Sequence, residues 1–96
     1  MDWCFKDPPN LAVIASEKII KLRDFIAYVT HDDADGGWQF HCKGQISEID
    51  VAVVSLQSIF NIDVTVGELA DLPMGWHAWR NGLGEPWQKG KQSDAE

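Results

Sequence analysis

The segment FIAYVTHDDADGGWQFHCK, residues 25–43, decides the fold. Its first part, Phe25 to His31, is rich in β-branched and aromatic residues. Its last part, Gly37 to Lys43, alternates with period two: Trp38, Phe40 and Cys42 fall on one face, Gln39 and His41 on the other. Two strand-like runs joined by a short Asp/Gly-rich segment read as a β-hairpin. The alternation makes Cys42 a core residue beside Trp38 and Phe40, and His41 an exposed strand residue.

The connecting stretch HDDADGGW, His31 to Trp38, also invites a metal reading. A Ca²⁺ loop needs oxygen ligands at positions 1, 3 and 5, glycine at 6 and a bidentate glutamate at 12. With Gly36 at position 6, Asp33 and Asp35 fall correctly, but position 1 is His31 and position 12 is Cys42. Imidazole and thiol suit a hard cation poorly, and a strand follows where an EF-hand has a helix. The stretch therefore reads as a solvated hairpin turn, in which Asp and Gly supply positive φ and water-facing side chains.

Working outward, LAVIAS (11–16) is a short apolar run and reads as a buried strand. SEKIIKLRD after it fits one or two helical turns capped by Ser16, or a strand continuing past a bend. Residues 1–10 form an irregular lead-in ending at Pro8-Pro9. KGQISEID (43–50) is a polar loop and VAVVSL (51–56) a second strong strand. Helical spacing predicts a short helix at about 56–63 capped by Ser55. A further helical turn is expected at 66–72, with Thr65 as cap, Glu68 three residues on and Pro73 at its end. Trp76 to Arg80 reads as a strand leading into a turn at Asn81-Gly82. QKGKQSDAE, from residue 88, is polar, and a frayed tail is expected over 89–96. The sum is one α+β domain of 96 residues, core about 7–88, with a mostly antiparallel sheet, a hairpin at about 25–43 and one or two short helices.

Fifteen acidic against eight basic side chains leave a net charge of −7. That charge repels a phosphate backbone, so nucleic acid is not an expected partner. It keeps a protein soluble, and it steers one toward a basic partner. No apolar run approaches the ~20 residues that span a bilayer, so no membrane partner is expected. Two cysteines, Cys4 and Cys42, and an N-terminus without a signal-peptide pattern lead to the expectation of a reduced, cytoplasmic protein.

Catalytic and metal constellations are not legible. His31, His41, Cys42 and His77 show no paired ligand spacing, and His41 and Cys42 point to opposite faces of one strand. No nucleophile elbow or phosphate-cradling glycine loop occurs. Glu68 and Asp71 are explained by a helix start. No enzyme, metal or cofactor is expected.

The remaining constellation is ELADLPMGWHAWRNGLGEPW (68–87). A structural role is expected for at least two of Trp76, Trp79 and Trp87. Trp76 and Trp79 are three apart on a strand and face opposite sides. Arg80 can stack on an indole or pair with an acidic neighbour, and an exposed Trp–Arg pair has the composition of an interface hot spot.

DPPN (7–10), GGWQFHC (36–42), VVSL (53–56), ELADLPMGWHAWR (68–80) and Trp87 together form a pattern covering about residues 7 to 87. This pattern resembles a family of small bacterial proteins first catalogued as a domain of unknown function and later grouped with the immunity proteins of polymorphic toxin systems. The ELADLP-x-GW-x-A-x-R segment is its specific part. The resemblance implies a compact α+β domain that binds and neutralises a cognate toxin, and it brings no catalytic residue or established binding face. The partner-contact candidates are therefore chosen on physical grounds: Asp32, Asp33 and Asp35 at the hairpin tip, and Trp76, Trp79 and Arg80. If the toxin is a nuclease, its active face is basic and an acidic plug complements it. The alternative is a small accessory or ligand-binding domain with Trp-lined pocket walls, whose enzymatic version would use Cys42 or a histidine.

Overall fold

A computed structural model describes residues 3–43 and 50–92 of the chain. The hairpin sits at the centre. Strands β2 (Tyr28–His31) and β3 (Trp38–His41) pair antiparallel, with His31 opposite Trp38 and Tyr28 opposite His41. Strand β1 (Ala12–Ser16) lies parallel to β3, and β4 (Val51–Ser55) lies antiparallel to β1. On the other side, β5 (Trp76–Trp79) pairs with β2 and β6 (Gln88–Lys91) with β5, both antiparallel. The result is one six-stranded sheet ordered β4-β1-β3-β2-β5-β6, an α+β fold in which only β1–β3 is parallel.

Of the two readings of SEKIIKLRD, the helix is the one that forms. Helix α1 spans Glu17–Leu22, its Lys18 amide donating to the Ser16 hydroxyl at 3.2 Å. It ends on Arg23, which takes the left-handed conformation (φ 55°) that glycine usually supplies at a helix C-terminus. Ser55 caps α2 (Leu56–Ile62) through the Ser58 amide, as its position predicts. The next turn differs from expectation. It is a 3₁₀ helix over Val64–Leu69, and its cap is Asp63, not Thr65. Asp63 Oδ1 accepts both the Thr65 amide, at 3.0 Å, and the Thr65 hydroxyl, at 2.7 Å. A carboxylate two residues ahead of a free amide outcompetes a hydroxyl beside it.

One face of the sheet carries the core. Val13, Ala15, Val29, Trp38, Phe40 and Ala78 pack there against Ile19 of α1, Leu56 and Ile59 of α2, and Val66 and Leu69 of the 3₁₀ helix. Cys42 joins this cluster beside Phe40, as the alternation predicts. The lead-in contributes more than expected. Phe5 is buried and packs edge-on to Trp38 at 5.5 Å, and Trp3 packs on Phe60. The core therefore begins before residue 7.

The opposite face carries Ile14, Val53, Gln39, Thr30, Tyr28, His77 and Trp79, none of which belongs to the core cluster. His41, expected to be exposed, is buried (4%). It sits on the central strand between Gln39, whose Oε1 is 3.0 Å from its Nε2, and Tyr28. The expected frayed tail is also shorter. Gln88–Lys91 pairs with Trp76–Trp79, because an edge strand with one wet face can be entirely polar. The rest of that tail, 93–96, and most of the polar loop expected at 43–50 lie outside the described residues. Among those residues, no helix is long and apolar enough to cross a membrane.

Candidate functional site: an acidic end of the sheet

The hairpin tip is a closed, internally bonded turn. Asp32 N donates to Gly37 O at 2.7 Å, and Gly36 N returns to Asp32 O at 3.0 Å. Asp32 Oδ1 accepts the Ala34 amide (2.8 Å), and Asp35 Oδ1 accepts the Gly37 amide (2.9 Å). Gly36 takes φ +73°, the conformation its position calls for. Two of the three carboxylates thus spend one oxygen each on the loop's own backbone. Among the described residues, no group of three His, Cys, Asp or Glu side chains is placed to hold a metal ion.

The tip is braced from below by the segment before β5. His31 Nδ1 donates to Leu72 O at 2.7 Å, and its ring stacks on Trp38 with centroids 3.9 Å apart and planes within 13°. The Gly75 amide donates to His31 O at 2.7 Å, with Gly75 at φ +86°. A side chain added at Gly36 would meet Met74 Sδ, and one added at Gly75 would meet Asp33. The tip and Leu72–Gly75 therefore form one surface. Asp33 and Asp35 are exposed on it, and Met74 is a large apolar side chain left 56% exposed. The exposed Asp71 carboxylate forms a loose, solvated ion pair with Lys89, Nζ 3.6 Å away. A groove of about 670 Å³ runs along this edge, lined by three carboxylates, Asp7, Asp35 and Asp71, one cation, Lys6, and the apolar Trp38 and Met74 among others. An apolar centre rimmed by more carboxylates than cations is chemically suited to a basic, partly apolar protein surface.

The second candidate segment is split by the fold. Trp76 turns to the helical side and packs against the core, as does Trp87, so two of the three tryptophans are structural as expected. Trp79 turns to the opposite face, where it lies over Gly90 and beside His77 at 5.0 Å. Tyr28 Oη and His77 Nδ1 are 2.9 Å apart on the same face. Arg80 departs most from expectation. It is buried, its side chain 1% exposed, and it is a strut rather than an exposed contact.

Each nitrogen of the Arg80 guanidinium has a partner. Nη2 meets Asp63 Oδ2 at 2.6 Å, Nη1 donates to Thr65 Oγ1 at 3.2 Å and Nε donates to Ile26 O at 2.8 Å. Its plane lies over Trp87, 4.3 Å from the ring centroid. Burial alone would raise the Asp63 pKa. Hydrogen bonds from Thr65 and Arg80, with the Arg80 charge, outweigh it and hold the carboxyl below its ordinary value. Both possibilities raised for Arg80, stacking on an indole and pairing with an acid, are realised together inside the protein. Sequence reasoning missed Asp63 and the Asp71–Met74 part of the acidic surface. The one signal for the latter was Leu72-Pro73-Met74-Gly75, a turn with an apolar residue at its tip.

No protein-family model matches this chain, and neither curated proteins nor solved structures contain a matching relative.

Proposed function

We propose that this chain is a non-catalytic, cytoplasmic immunity protein that binds and neutralises a cognate bacterial toxin, with the acidic end of the sheet as its contact face. The observation that carries this reading is the braced surface on which Asp33, Asp35 and Asp71 surround the exposed Met74. The family resemblance in residues 7–87 and the net charge of −7 support the same reading. A rigid acidic surface reaches a basic active face quickly and covers it without chemistry.

The test is to express the product of each gene neighbouring this one, alone and together with this chain. A neighbour that is toxic alone, harmless together and forms a one-to-one complex supports the reading. A toxic neighbour that this chain neither binds nor silences refutes it. Replacing Asp32, Asp33 and Asp35 together with Asn then tests the face. Asparagine keeps the oxygen acceptors of the turn, so folding should change by under about 0.5 kcal/mol. Association with the toxin should slow by about tenfold at low salt, with a weaker salt dependence. Unchanged association would move the contact face elsewhere.

The ligand-binding alternative has one observation in its favour. A groove of about 830 Å³ opens between α1 and α2, lined by Ile20, Ile26, Val54, Ile62, Val64 and Leu83 among others. No tryptophan lines this groove, unlike the Trp-lined walls expected from the sequence, so a metabolite that raises the melting temperature with the logarithm of its concentration, and does so less when Val54 is replaced by Lys, would select it.

A further inference from the structure

The two edges of the sheet are built differently, and the difference points to a partner. In the β1–β4 ladder, Glu17 N donates to Asp50 O at 2.8 Å and Leu56 N to Leu11 O at 2.9 Å. With Ala12 opposite Ser55, these fix the alternation: Val13–Val54 and Ala15–Ala52 are the hydrogen-bonded pairs between them. Val51, Val53 and Ser55 therefore turn their N–H and C=O groups away from β1. Strand β4 ends the sheet, and among the described residues no strand pairs with that side. At the other edge, Gln92 N donates to Gly75 O, so Lys89 and Lys91 are the residues whose backbone faces outward from β6. Lysine on an edge strand discourages strand addition. VAVVS, the whole of β4, carries no charge, no proline and no bulge, and Val53 is 71% exposed.

We propose that the β4 edge is a dimerisation surface, on which a second copy of this chain adds its own β4 antiparallel about a two-fold axis through Val53. That register puts Val53 opposite Val53 and Val51 opposite Ser55, closing about six backbone hydrogen bonds between outward-facing groups. The two six-stranded sheets become one continuous sheet. The occupant follows from charge. The VAVVS edge carries no charge on a chain of net charge −7, so two like-charged copies can meet along it without setting charge against charge; that a toxin docks instead at the hairpin tip rests on the function proposed above. In the same register the two Asp50 residues lie about 20 Å apart along the strands, beyond the screening length of about 8 Å in physiological salt. The Asp50 carboxylates of the two copies therefore do not repel each other appreciably across the contact.

The experiment is sedimentation equilibrium of the full chain, with amide hydrogen exchange at low and high concentration. The expected result is a monomer–dimer equilibrium in which the Val51, Val53 and Ser55 amides gain protection as concentration rises. Ala52 and Val54, already bonded to β1, should not change. Val53→Lys sets two like charges directly opposite and should weaken the dimer tenfold or more. Val53→Pro removes an edge donor without touching the β1 ladder and should leave a monomer. Circular dichroism confirms that either variant remains folded. A wild-type chain monomeric up to ~1 mM overturns the proposal, since that is the weak end of specific association. So does a dimer whose protection lies elsewhere, or protection of β4 only when a toxin is added.

Discussion

Replacing Asp63 with Ala strands the Arg80 guanidinium in the core. In the native protein that group has a carboxylate at 2.6 Å and is almost wholly out of water. Removing one partner of a buried pair costs about 3–5 kcal/mol. The lower end applies here, because Ile26 O, Thr65 and Trp87 stay in place around the cation. A domain of this size is stable by about 5–14 kcal/mol in all, so about 3 kcal/mol is a large share. It corresponds to a fall in melting temperature of about 12–24 °C. Urea unfolding followed by tryptophan fluorescence reads this directly, since Trp87 lies against the cation.

Two further observations separate a buried strut from a general loss of fit. Arg80→Met should cost less than Asp63→Ala, because it leaves a carboxylate that still receives the Thr65 amide and hydroxyl. Combining the changes should cost less than their sum, since the stranded charge is gone. The pH dependence has a defined sign. The Asp63 pKa is held below its ordinary value of 3.8, so its contribution is complete above pH 3.8 and is lost as pH falls through the lower folded value. The gap between wild type and Asp63→Ala should therefore close in acid. A cost under about 1 kcal/mol, the value of an exposed ion pair, would refute the strut.

Other outcomes follow from the same geometry. Arg23→Gly, at the one non-glycine residue described with positive φ, should stabilise the chain, and Gly75→Ala, at φ +86°, should destabilise it by about 1–2 kcal/mol; thermal melts of the pair check both signs. Burial lowers the His41 pKa from 6.5, so the folded state resists protonation. Stability from His41 is complete above pH 6.5 and falls as pH drops toward the lower folded value, and His41→Gln should remove that dependence. His31→Phe keeps the stack on Trp38 but loses the bond to Leu72 O. It should cost about 1 kcal/mol and speed amide exchange in residues 72–75; unaltered exchange there would mean that the brace rests on the Gly75–His31 backbone bond alone.

The sheet was legible where chemistry is local. The alternation of Trp38, Phe40 and Cys42 gave the core face of the second hairpin strand directly, and Ser16 and Ser55 marked two helix starts by their own hydroxyls. Apart from the cap of the 3₁₀ helix, which is Asp63 and not Thr65, the misses are long-range. Arg80 and Asp63 are 17 residues apart, and nothing between them signals that one will bury the other. Trp76 and Arg80 are four apart and share a face with Ala78, a pattern that reads equally as core or as contact surface. His41 is buried by strand order, and strand order is not written in period-two alternation. The acidic tip was found as composition. Its shape depends on His31 reaching Leu72, 41 residues away.

These long-range ties divide the molecule into a held part and an offered part. The segment from Asp63 to Gly75 runs like a strap beside the sheet. At one end Asp63 is fastened to Arg80, just past the far end of β5. At the other, Leu72 O and the Gly75 amide are fastened to the two polar ends of His31, at the base of the tip. Between the anchors, Val66, Leu69 and Leu72 fill the core, while Glu68, Asp71 and Met74 face out. A small domain has little core with which to hold a charged loop still. Here a buried cation does part of that work, and its counter-charge also caps the 3₁₀ helix leading to the tip. The carboxylates at the tip are then free of structural duty except for the turn bonds of Asp32 and Asp35. For this reason Asp→Asn changes at the tip should alter association and not folding, whereas a change at Asp63 should do the reverse.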